Sequence, residues 1–258
     1  MKYLCLTFVI SFILSSCSTK SELVYLRGSE KHTDWFDKVD YSTFNNKIQS
    51  GDILNIDVQT IVPEAAMPYN NSSAGNATVT SIEMLKIDGY LVDESKMINY
   101  QVLGEISVQD LSINQLENKM TQLFLEGGHL NNPIVKIRRL NSKFTVLGEV
   151  NSPGTFSYFD EKLNLFQALG LAGDLNIFGK RKDITIIREE NGLRKIHKID
   201  LTNLNVLLEP YYQIKNNDVI IVNPNYSKVK SAGFIGSSSS IASISSLLLS
   251  ITLLIINK

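Results

Sequence analysis

From Ser231 to Asn257 the chain carries no charged residue, and Lys258 closes it. Nothing else in the sequence constrains the fold as strongly. Wound as a helix at 1.5 Å per residue, residues 234–256 would extend about 34 Å, enough to cross the hydrocarbon of a bilayer. The run is not uniformly apolar. Ser239, Ser243, Ser246 and Ser250 recur at helical spacing and share one face, while Ile241, Ile244, Leu248, Ile251 and Ile255 form the opposite one. The segment at 233–256 therefore predicts a membrane helix made amphipathic by hydroxyls rather than by charges. Two readings stand side by side. In one, the serines bond back to the carbonyls of their own helix and the segment is a plain anchor. In the other, the small hydroxyl face packs beside copies of itself or lines a wet lumen, and the Ile/Leu face meets lipid.

The opposite end is an address label. Lys2 supplies a positive start, residues 3–14 are mostly apolar and uncharged, and the small residues Ser15 and Ser16 precede Cys17. Residues 1–16 read as a secretory signal, too short to span a membrane well. The cysteine could sit beside an ordinary cleavage site, but Leu14-Ser15-Ser16-Cys17 closely resembles a bacterial lipobox, in which the cysteine is acylated and becomes the first mature residue. The chain holds 2 cysteines, Cys5 and Cys17. Cys5 would leave with the signal, so no intrachain disulfide and no Cys-ligated metal site is expected. Cys17 is thus the candidate lipidation site, carrying palmitate or other acyl chains that anchor the protein. Ser18 follows it where an Asp would redirect sorting, and by resemblance to bacterial lipoproteins this favours the outer membrane. A lipidated chain hardly needs a second passive anchor, which favours the assembling reading of the serine face.

Between these ends the composition is that of a folded protein. Of 258 residues, 25 are Lys or Arg and 26 Asp or Glu, a net charge of −1. That balance argues against a nucleic-acid binder, which carries a basic excess. Residues 17–45 read as a polar, lipidated connection. At 48–58 (IQSGDILNIDV) Gly51-Asp52 makes a turn before an alternating strand. Residues 63–79 are turn-rich and predict a loop, strands are expected again near 82–87, and Asp88-Gly89 reads as a hairpin turn. Ser112 and Gln115 have capping-box spacing ahead of an apolar stripe of Ile113, Leu116, Met120, Leu123 and Phe124, with Gly127-Gly128 as the stop. Pro133 precedes a strand at 134–138. A second unit opens with a strand at 144–150, followed by a helix near 164–171. Strands at 183–188 and 194–201 are joined through Asn191-Gly192, and shorter strands follow at 212–214 and 218–222.

Catalytic constellations are missing from this pattern. His32, His129 and His197 are far apart and lack metal spacing. Gly179-Lys180-Arg181 resembles a phosphate loop only superficially, because Arg stands where a hydroxyl must hold magnesium. Asp52, Asp88 and Glu149 each fall at a turn or strand end, which favours structural roles over a glycosidase pair. Lys180-Arg181-Lys182 reads as a solvated basic loop, or alternatively as a contact for an acidic glycan or a partner. No enzymatic activity, metal or cofactor is expected.

Six segments carry a family resemblance when taken in order: 48–58 (IQSGDILNIDV), 87–92 (IDGYLV), 102–107 (VLGEIS), 144–154 (FTVLGEVNSPG), 165–173 (LFQALGLAG) and 214–224 (IKNNDVIIVNP). Set between a lipobox and a terminal helix, they resemble the bacterial polysaccharide biosynthesis/export family, the Wza-type outer-membrane translocons. The resemblance implies an α+β protein with a periplasmic export domain at 46–140 and one β-grasp-like (SLBB) domain at 143–225. It implies a ring of copies anchored in outer-membrane lipid, a porin-like channel for capsular or extracellular polysaccharide. An inner-membrane polysaccharide copolymerase/tyrosine kinase would hand over the cargo. Where such domains usually have Ala-Gly-Gly after the helix, this chain has Ala172-Gly173-Asp174, and there is room for a single β-grasp domain. The other reading, from a different class, is a lipid-anchored periplasmic glycan-binding adaptor without a pore.

Overall fold

The computed structural model describes residues 22–29, 46–70, 82–160, 162–190 and 192–231, together with helical positions at Ser243, Ser246 and Ser250. The described chain is a mixture of helix and strand, an α+β protein, organised around two separate apolar cores.

The first core grows from strand β1 (Ile53–Gln59), which buries Leu54, Ile56 and Val58 on one face in strict alternation. A short helix α1 (Pro63–Ala66) and a 3₁₀ turn (Met67–Tyr69) follow, where the sequence predicts only a loop. Pro63 begins this helix at a position where its missing N–H costs nothing. Helix α2 (Ile82–Asp88) occupies the segment expected to be a strand. Its alternating apolar residues fit either period, but both edges of β1 are already taken. Strand β2 (Tyr90–Leu91) pairs on one side, and β5 (Ile134–Arg139) on the other. The turn between α2 and β2 passes so close to β1 that a Cβ on Gly89 would lie 2.5 Å from Ile53 Cγ2. A hairpin of β3 (Met97–Tyr100) and β4 (Gly104–Ser107) closes one end of this core.

Helix α3 (Ile113–Glu126) covers the sheet. Ser112 Oγ accepts from Gln115 N at 3.3 Å and Gln115 Oε1 accepts from Ser112 N at 2.9 Å, the reciprocal cap that the spacing predicts. The helix buries Ile113, Leu116, Met120 and Phe124, and leaves Leu123 half-covered at the rim.

The second core begins with the hairpin β6 (Lys143–Gly148) and β7 (Gly154–Ser157). A two-residue strand β8 (Leu163–Asn164) leads into helix α4 (Leu165–Leu171), again with a capping box, between Asn164 and Gln167. A long hairpin follows, β9 (Gly179–Glu190) and β10 (Leu193–Ile199), then β11 (Gln213–Ile214), β12 (Val219–Pro224) and helix α5 (Tyr226–Ser231). The last long strand does not extend the edge. β12 inserts between the hairpins, parallel to β6 and antiparallel to β9, giving the order β10-β9-β12-β6-β7. This close insertion explains Gly148: its φ is 93°, and a Cβ there would lie 2.1 Å from the Val222 carbonyl oxygen.

Residues 22–29 are laid along this second unit. Leu26 N and Arg27 N donate to the carbonyls of Leu201 and Thr202 at 3.0 and 2.8 Å. The Tyr25 ring packs edge-on to Phe166, and its hydroxyl donates to Asp174. Burial and that carboxylate together raise the pKa of this phenol well above the ordinary range.

Candidate functional site

Two turns with the same local chemistry meet where the units join. In the first, Gly51 takes φ 83° and Asp52 accepts the Gln49 N–H at 2.8 Å. In the second, Asn217 takes φ 65° and Asp218 accepts the Lys215 N–H at 2.8 Å. In each, the aspartate launches a strand and its carboxylate is clamped by a buried arginine. Arg139 Nε lies 2.9 Å from Asp52 Oδ2, an ion pair whose N–H is not aligned for a hydrogen bond. Arg188 holds Asp218 bidentately, at 2.9 and 2.6 Å. The Asn216 amide, from the second turn, donates to Asp52 Oδ1 at 3.0 Å and ties one turn to the other. Tyr158 is buried beside both ion pairs, and burial pushes its hydroxyl up to about 12. Locally Asp52 looks like any turn residue. Its partners lie far along the chain, so its role as a junction is invisible to local spacing.

Beside this junction opens a polar cleft of about 490 Å³ between Lys47 and Lys96 of the first unit and Glu190 and Lys215 of the second. Lys215 and Lys195 reach Glu190 at 2.6 and 3.1 Å, and these donors hold its carboxyl down to about 2. The cleft offers charge pairs already matched to each other, with no aromatic platform.

The residues that composition left open are placed as follows. His197 stacks on Tyr211 at 4.3 Å and meets Glu209 at 2.8 Å; Arg188 Cζ lies 4.7 Å from the Tyr211 ring centre. His129 lies against Tyr69 and Phe124 after α3. Among the described residues no group of three His, Cys, Asp or Glu could hold a metal ion. The basic triplet is not a loop. Lys180 and Lys182 point outward from β9 while Arg181 is buried, its guanidinium donating to the carbonyls of Asn176 and Gly179 and lying 5.4 Å from the Tyr25 ring centre. Strand alternation explains the split, because successive residues face opposite sides and Arg181 shares the buried side with Gly179.

At the far end of the second unit a mixed cleft of about 440 Å³ runs between the loop ahead of β9 and the start of α5. Its lining includes the apolar Ile177, Phe178 and Tyr226 and the charged Glu22, Lys180 and Lys182.

Of the residues assigned to the terminal segment, Ser243, Ser246 and Ser250 are helical. Ser246 Oγ donates to the Ser243 carbonyl at 3.3 Å and Ser250 Oγ to the Ser246 carbonyl at 2.9 Å. The expected signal, Cys17, Ser239 and the apolar face of Ile241, Ile244, Leu248, Ile251 and Ile255 lie outside the described residues, as does the rest of the expected span. Among the described residues no helix is long and apolar enough to cross a membrane.

Comparison with known proteins shows what part of this chain resembles. Over 136 residues the chain is 29% identical to the EPS I polysaccharide export outer membrane protein EpsA of Ralstonia solanacearum, a match covering 51% of this chain and 35% of that protein. The chain thus aligns with about a third of that relative's length. Residues 40–139, which hold the whole first core from Ile48 to Ile137, match the model of the polysaccharide biosynthesis/export protein family. Residues 40–139 thus carry the likeness to the polysaccharide biosynthesis/export family.

Proposed function

We propose that the protein works in the outer membrane as an exporter of capsular or extracellular polysaccharide, anchored by lipid at Cys17 and acting without covalent chemistry. The observation that carries this reading is the family match over 40–139, supported by a relative named for polysaccharide export at the outer membrane. The second unit adds to it. Two hairpins, a helix between them and a final strand inserted centrally, parallel to the first, form the strand order of a β-grasp, which supports reading 143–225 as a sugar-export SLBB domain.

A single amphipathic helix cannot enclose a pore, so a channel built from residues 233–256 has to be a closed ring of copies. Serines 239, 243, 246 and 250 would face the lumen and Ile241, Ile244, Leu248, Ile251 and Ile255 the lipid. An uncharged, hydroxyl-lined passage suits a glycan that must slide without being held. An inner-membrane copolymerase/tyrosine kinase would deliver that glycan to the periplasmic domains. A second reading has its own observation. Ser246 and Ser250 satisfy their hydroxyls on their own helix, as a plain anchor requires, and this favours a lipid-anchored glycan-binding adaptor.

The mass of the detergent-solubilised particle tests the proposal. A ring has the mass of several 28.9 kDa chains, and a strictly monomeric particle overturns the channel.

A further inference from the structure

The cleft at the far end of the second unit has features that polysaccharide export does not by itself require. Ile177 and Tyr226 are 65% and 79% exposed, and Phe178 is 37% exposed beside them. Large apolar side chains this exposed usually belong to floppy tips, but these are held in place. Asn225 pins the loop from both sides: its N–H donates to the Phe178 carbonyl at 2.7 Å and its side-chain amide to the Ile177 carbonyl at 3.0 Å. Phe178 N in turn donates to Asn176 Oδ1 at 2.8 Å. The loop is therefore a braced protrusion that keeps Ile177 in solvent.

Lysines border it. Lys180 lies 3.1 Å from Asp183 and Lys182 3.7 Å from Glu22, which also lines the cleft, yet the two lysines keep 49% and 41% of their side chains exposed; Lys228 Nζ lies 5.0 Å from the Phe178 ring centre. Apolar and aromatic side chains interleaved with lysines are what sits at a lipid interface, where rings lie at headgroup depth and ammonium groups meet phosphate. Position supplies the occupant. α5 ends at Ser231, and the chain that follows carries no charge until Lys258. The cleft lies at the root of that segment.

We propose that this cleft, with Ile177, Phe178 and Tyr226 as its apolar contacts and Lys180 and Lys182 as its phosphate contacts, rests on anionic phospholipid of the membrane the terminal segment enters. The inference depends on residues 234–256 spanning that membrane. Contact here would set the tilt and depth of the second unit against the bilayer.

Amide exchange on the full-length protein tests it, in nanodiscs of phosphatidylcholine alone and in discs with phosphatidylglycerol added. Residues 174–182 are expected to exchange about tenfold more slowly in the anionic discs. The double variant Lys180→Glu/Lys182→Glu should lose that protection. Unchanged exchange in β6 and α4 shows that the variant is folded. Equal rates at 174–182 in both lipids, with 234–256 protected, overturn the lipid contact and leave the span standing. Free exchange of 234–256 in both discs overturns the span and the contact with it. Protection of 174–182 in detergent by an acidic oligosaccharide such as a polygalacturonate fragment, with none from phosphatidylglycerol, overturns it in favour of a glycan subsite.

Discussion

Glu190 shows how much one carboxylate can contribute when two lysines converge on it. Lys215 and Lys195 keep it ionised down to about 2, against an ordinary value of 4.5, and its side chain is only 22% exposed. A carboxyl depressed in the folded state adds stability that is complete above 4.5 and disappears as pH falls through about 2. Glu190→Gln is therefore expected to cost about 1 kcal/mol at neutral pH, after allowing for solvent screening. The cost should vanish near the acid end, so urea midpoints of the two proteins converge as pH drops. A constant gap across the range would mean that Glu190 acts through packing and not through charge.

Among the elements, the two capped helices are both legible in the sequence. Ser112 and Gln115 stand at box spacing before a clean apolar stripe, and α3 follows the sequence pattern to within a residue of its ends. Ser112→Ala is expected to cost about 1 kcal/mol, read as a lower denaturant midpoint at unchanged m. Asn164 and Gln167 form the same box on α4. The sequence predicts a helix near 164–171, and Asn caps as well as Ser does. Residues 82–87 predict a strand and form a helix instead, because Ile82, Met84, Leu85 and Ile87 satisfy a strand period and a helix period almost equally. Only the tertiary fact that β2 and β5 occupy both edges of β1 decides between them. The basic triplet failed for a related reason: charge predicted solvent for all three residues, while strand alternation turned Arg181 inward.

At the scale of the molecule, the hairpins and the six family segments are legible because they are local and sequential, whereas the central insertion of β12 and the junction of the two units are not. Asp52, Arg139 and Asn216 come together only in the folded chain. Asp52→Ala would leave the Arg139 guanidinium, buried to 7% exposure, without its carboxylate, at an expected cost of about 3–5 kcal/mol. Because Asn216 reaches across to the same carboxylate, the variant should also uncouple the units, and calorimetry should resolve two transitions. One merged transition would place the coupling elsewhere. The chain's ends decide the larger question. If residues 233–256 cross the outer membrane, a tag placed after Lys258 is exposed on intact cells and is removed by external protease; protection of the tag sinks the spanning proposal. Exposure alone leaves both the ring and the plain anchor standing, and the serines separate them. A hydroxyl face that lines a lumen cannot tolerate bulk, so Ser246→Leu with Ser250→Leu should block export while the tag stays exposed. In a plain anchor the same leucines only deepen the apolar character of the helix, and export continues unchanged.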